Sequence, residues 1–139
     1  VNRQELQQLA LDRVDDAQTL LNAQRWTAAY YIVGYAAECA LKACILARIE
    51  RTGVIFDEKE FPKQCWTHSV LDLVKAADLR ADLDATSNAN SKFGGNWGAV
   101  KDWNEASRYK HHSEAAARKL FDAITQDPDG VLKWIKNHW

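Results

Sequence analysis

Trp26–Ala47 reads WTAAYYIVGYAAECALKACILA, an alanine-rich run in which Glu38 and Lys42 are the only charged residues. A helix that is apolar all round is buried, either in a bilayer or at the centre of a helical bundle. Its length just reaches the roughly 20 residues of a membrane span. The charges decide for the bundle, because a Glu or Lys near the bilayer centre costs about 2.5–3.5 kcal/mol on insertion scales. With the acid one turn N-terminal to the base, Glu38 and Lys42 can neutralise each other as an i,i+4 pair. Gly34, Ala36, Ala37, Ala40 and Ala43 leave room for neighbouring helices, while Tyr30, Tyr31, Tyr35 and Leu41 supply bulk. The stretch reads as a central packing helix from about Trp26 to Arg51, stopped by Gly53.

On its N-terminal side, Leu6, Leu9, Ala10, Val14, Ala17, Leu20 and Leu21 recur near the 3.6 period, opposite Asp12, Arg13, Asp15, Asp16 and Gln18. This predicts a long amphipathic helix over Asn2–Ala23, joined by Asn22–Arg25 to the central helix as an antiparallel hairpin. On the C-terminal side, Val54–Thr67 carries mixed charges and Pro62 and reads as a loop with one short turn. Thr67 or His68 opens a helix holding Val70, Leu71, Leu73, Val74 and Ala77, which Leu79–Leu83 continue or follow with another. The run TSNANSKFGGNWG, Thr86–Gly98, is rich in turn residues and is the expected mobile loop or lid.

Regularity returns at Ala99, with Val100, Trp103, Ala106 and Ser107 leading to Arg108, and a helix is expected over Ser113–Thr125. In DPDGVLKWIKNHW, Asp127 is placed to cap, Pro128 to open a helix, and Val131, Leu132, Trp134 and Ile135 to form its apolar face. No stretch alternates with period two. The expectation is one all-α domain over residues 1–139, an up-down bundle of five or six helices.

A chain of 139 residues can bury a core without metal or disulfide support. The net charge of −1 excludes a whole-molecule field that would draw it to nucleic acid or acidic lipid, so such binding needs a local patch. Cys39, Cys44 and Cys65 lack CxxC spacing, which predicts reduced thiols in a cytoplasmic protein and no zinc site. The opening VNRQELQQLALDR lacks a basic segment followed by an apolar one, so no secretory signal is expected. No cofactor motif is present.

The chemistry concentrates in WNEASRYKHH, Trp103–His112, where Arg108, Lys110, His111 and His112 can form a basic patch. Arg108 and His112, four apart, share a face if the segment is helical. A fixed cation beside a group that titrates near neutrality can hold a phosphate. The same pair can serve metal-free phosphodiester cleavage, with His moving the proton and Arg stabilising the charge on the phosphorane oxygens. A solvated helix start, with the Arg paired to a carboxylate, is the alternative. Trp97, beside Gly94, Gly95 and Asn96, is a candidate ligand or partner contact, and Trp139 can pack across a dimer. Trp26, Trp103 and Trp134 read as core, and His68 as a capping or packing residue.

Four pieces together, LLNAQRWTAAYYIVGYAAECALKACI, THSVLDLVKAA, WGAVKDWNEASRY and GVLKWIKNHW, resemble a HEPN domain. The most specific are GYAAECALKA and the Trp–x4–Arg–Tyr segment ending in Arg108 and Tyr109. The resemblance implies a helical bundle, homodimers with sites at the subunit interface, pairing with a minimal nucleotidyltransferase, and a toxin–antitoxin or defence context. It implies an RNA- or nucleotide-binding and dimerisation module, or alternatively a metal-independent endoribonuclease. Arg108 stands for the family arginine, His112 or His111 for the histidine, and Glu38 for an acid that orients Arg108 or the ligand, unless it is a structural partner of Lys42 or Arg108. Lys42, Tyr109, Lys110 and Trp97 complete the candidate ligand-binding set with Glu38. The family pattern has four to six residues between Arg and His, whereas His111 and His112 follow Arg108 after two and three.

Overall fold

The computed structural model describes residues 1–139 as an all-helical chain without strands. Helix α1 spans Arg3–Asn22 and α2 spans Trp26–Thr52. A 3₁₀ turn, Val54–Phe56, and a single-turn helix α3, Phe61–Gln64, lead to α4, Val70–Ala76. Then come α5, Arg80–Ala89, α6, Ser91–Lys101, a second 3₁₀ turn, Glu105–Tyr109, α7, Glu114–Thr125, and α8, Val131–Lys136. The eight helices exceed the expected five or six because the expected Val54–Thr67 loop holds α3 and the expected Thr86–Gly98 loop is helical on both sides of Asn90.

The hairpin forms as its residues dictate. Asn2 and Glu5 build a reciprocal capping box at the start of α1, and Leu6, Ala10, Ala17 and Leu21 bury one face against α2. Gln24 takes a left-handed φ of 60° in the tight connection, and Gly53, at φ 66°, ends α2. Residues Ala36–Leu41 and Ala43–Ile45 are all buried, because α2 is covered by α1, α4, α7, α8 and the Glu105–Tyr109 turn. Gly34 admits one of these neighbours. A Cβ there would lie 2.1 Å from Trp103 Nε1, so the indole packs directly on the helix backbone. No helix is long and apolar enough to cross a membrane.

Thr86–Gly98 departs from its expected loop. It is helical on both sides of Asn90, whose side chain accepts from the amides of Lys92 and Phe93 and caps α6. Phe93, Trp97 and Val100 are buried at helical spacing, and this apolar stripe overrides the low helix propensity of Gly94, Gly95 and Gly98. The C-terminal helix also starts later than expected, at Val131 rather than Pro128. Asp127 pairs with Lys133 instead of capping the helix, while the expected apolar face is buried. All three cysteines are free; burial raises the Cys39 thiol to about 11 and the Cys44 thiol to about 12.

Candidate functional site

The long helix α2 begins with unspent donors. Its N-cap residue Arg25 makes no side-chain cap, and the amides of Trp26, Thr27 and Ala28 find no acceptor in the chain. A helix N-terminus in this state carries partial positive charge and directed N–H groups. Across from it runs the Glu105–Tyr109 turn and the extended chain after it. The His112 amide donates to Thr27 Oγ1 at 3.0 Å, and the His112 ring stacks on Tyr30 with centroids 3.7 Å apart.

Between the two lies an open cleft of about 710 Å³ lined by Gln24–Ala28, Tyr31, Arg108, His111 and His112. Arg25 and Arg108 are cations, two histidines stand beside them, and no carboxylate lines the cleft. Arg108 is fully exposed, its guanidinium 4.8 Å from the Tyr109 ring centre. The neighbouring Tyr109 phenol raises its pKa, and Tyr31 adds to the effect. Burial lowers the His112 pKa; the Ser107 carbonyl opposes the shift, and Lys110 and His111 reinforce it. His112 Nε2 is buried without a partner, whereas His111 is exposed.

Arg108 and His112 do not share a helical face, because the 3₁₀ turn ends at Tyr109 and the chain runs extended through Lys110. They meet at the cleft because His112 is drawn back onto Thr27 and Tyr30. Tyr109 and Lys110 are exposed beside it. Trp97 belongs elsewhere: it is 8 % exposed and packed in the main core.

Glu38 and Lys42 lie outside the cleft. Seven residues beyond Tyr31, Glu38 is about 10 Å further along the helix axis. Its carboxylate, 1 % exposed, receives Lys42 Nζ at 2.7 Å and faces His68 Nδ1 at 2.9 Å, both through Oε1. Its Oε2 has no partner. The other imidazole nitrogen, His68 Nε2, faces Glu105 Oε2 at 3.2 Å. Glu38 is therefore joined to Lys42 and His68 rather than to Arg108. Sequence reasoning missed the pairing of His68 with Glu105, since they lie 37 positions apart in the chain. It also missed Arg25 and the bare start of α2, although the absence of Ser, Thr, Asp or Asn immediately before Trp26 was visible.

No family model, no curated protein and no solved structure matches the chain.

Proposed function

We propose that the protein is a HEPN-like RNA- or nucleotide-binding module whose cleft at the start of α2 receives a phosphate. The observation that carries this reading is the convergence of Arg25, Arg108, His111 and the free amides of Trp26–Ala28 on a cleft lined by no carboxylate. Guanidinium groups and helix-start amides are the donors that phosphate oxygens match. The exposed Tyr109 ring, with Arg108 beside it, offers a stacking surface for a nucleobase. Dimerisation and pairing with a nucleotidyltransferase, in a toxin–antitoxin or defence setting, belong to the same reading. The nearly complete exposure of Phe56 and Trp66 supports a protein partner.

The test is fluorescence anisotropy of a labelled single-stranded RNA with wild type, Arg25→Ala and Arg108→Ala at low salt. Saturable binding weakened at least about tenfold by either change supports the reading, since a charge-assisted phosphate contact is worth about 1.5–3 kcal/mol. Binding that is absent, or equal in all three proteins, refutes it.

A metal-independent ribonuclease is the second reading, supported by Arg108 and the exposed His111 in one cleft. In it the ribose 2′-oxygen attacks phosphorus and gives its proton to His111, while Arg108 stabilises the phosphorane oxygens and the 5′-oxygen leaves with a proton from solvent. His112 serves less well as the base because its Nε2 is buried. Cleavage of RNA in EDTA that Arg108→Ala and His111→Ala abolish, while His112→Gln retains it, distinguishes this reading from binding alone.

A further inference from the structure

The Glu105–Tyr109 turn carries the cleft's Arg108 and packs against α2 through the adjoining Trp103, but few side-chain polar contacts fix it. Its one buried side chain is Ser107, whose Oγ has no partner, and the Trp103 Nε1 just before it is also unpartnered. Asn104 and Ser107 accept only from groups close in sequence, the amides of Ala106, Ser107 and Lys110 and the His112 ring. The side-chain polar contacts from the turn to other helices or their flanking segments are Arg108 with Tyr31 of α2 and Glu105 with His68, the latter the one salt bridge.

His68 is built to make that contact from a fixed base. It directly precedes Ser69, whose hydroxyl caps α4 by accepting from the Asp72 amide, and the Ser69 amide donates to Thr67 Oγ1. Its Nδ1 is set against Glu38, which α2 buries and Lys42 neutralises. The two ring nitrogens face one carboxylate each, Nδ1 at 2.9 Å from Glu38 Oε1 and Nε2 at 3.2 Å from Glu105 Oε2. The imidazole thus ties the buried wall of α2 to the turn. In a 3₁₀ turn, residues three apart stack along one side, so the orientation of Glu105 governs the side from which Arg108 leaves the chain.

We propose that His68 is a positioning residue, a clasp between Glu38 and Glu105 that sets the Glu105–Tyr109 turn and so presents Arg108 to the cleft. The functional half of this rests on the cleft being a phosphate site; the structural half does not. A rival view treats Glu105 as a nearby negative charge alone. The two views disagree in sign. Removing a negative charge beside a cationic cleft strengthens anion binding, whereas releasing the clasp weakens it.

The experiment uses the full chain as wild type, His68→Ala, Glu105→Gln and the double variant. All are read by ¹H–¹⁵N NMR, including the Arg108 Nε–H signal, and by anisotropy with single-stranded RNA. Lys42 still pairs with Glu38 in every variant, and unchanged signals from α5 and α6 check that the fold is retained. The clasp predicts that each single variant shifts the amides of Glu105–Tyr109 and the Arg108 Nε–H. RNA affinity falls about three- to tenfold in each, and the double variant is no worse than either single one. Unmoved signals from the turn in His68→Ala, or tighter RNA binding by Glu105→Gln, overturn the clasp. If wild type binds no RNA, the cleft reading fails by itself, and the Arg108 signal still decides whether His68 positions it.

Discussion

Glu38 is the residue on which the interior turns, a carboxylate 1 % exposed with one oxygen shared by Lys42 and His68 and the other unpartnered. Taking away one partner of a buried charge costs more than taking away the charge and keeping the shape. Lys42→Ala is expected to lower stability by about 1–3 kcal/mol, with Glu38→Gln in the same chain restoring part of the loss. Chemical denaturation of the two single variants and the double one measures this. His112 supplies a pH dependence. Burial holds its pKa below the ordinary 6.5, so the unfolded chain takes up this proton at a higher pH than the folded one. Its contribution to stability is complete above about 6.5 and is lost as pH falls through 6.5 toward the lower folded value. The Tm of His112→Gln is therefore expected to fall less than that of wild type between about pH 7 and pH 5. A phosphate in the cleft acts in the opposite sense, favouring the imidazolium, and RNA affinity rises over the same descent.

At the scale of elements, the contact of Trp103 with Gly34 couples α2 to the turn that carries Arg108. Gly34→Ala forces the indole off the helix, which costs about 1–3 kcal/mol as overpacking and shifts the NMR signals of Glu105–Tyr109. Gly95 is the opposite case: exposed in mid-helix, with nothing within 4 Å of an added Cβ. Gly95→Ala is expected to stabilise by about 0.5–1 kcal/mol in thermal or urea unfolding. The same glycines mark where sequence and structure part. The α1–α2 hairpin was legible because its apolar period is long and Gly53 ends it. From Thr86 to Val100, Phe93, Trp97 and Val100 kept a helical period, but Gly and Asn between them read as turns until the core supplied the burial that outweighs propensity. The candidate site divided the same way. Arg108, His111 and His112 lie together in sequence and were legible. Arg25 joins them, and His68 meets Glu105 of the same turn, only through tertiary packing, for which a single sequence offers no local signal.

For the whole molecule, a net charge of −1 conceals an uneven distribution, because Arg25, Arg108 and the two histidines gather at one cleft without a carboxylate in its lining. Only a local field can act there, and it spans few phosphates. RNA affinity should accordingly fall with salt at a slope near −1.4 to −2.1 in log–log form, as roughly two or three phosphates of a single strand require. A much steeper slope would place the contact on a wider surface. The most direct measurement is ¹H–¹⁵N chemical-shift mapping of the full chain titrated with a short single-stranded RNA. The cleft account predicts that the shifts concentrate on the amides of Trp26–Ala28 and on Arg108–His112, saturating together. Shifts confined to another face, such as Phe56–Trp66, or none at RNA concentrations that saturate anisotropy, would contradict it.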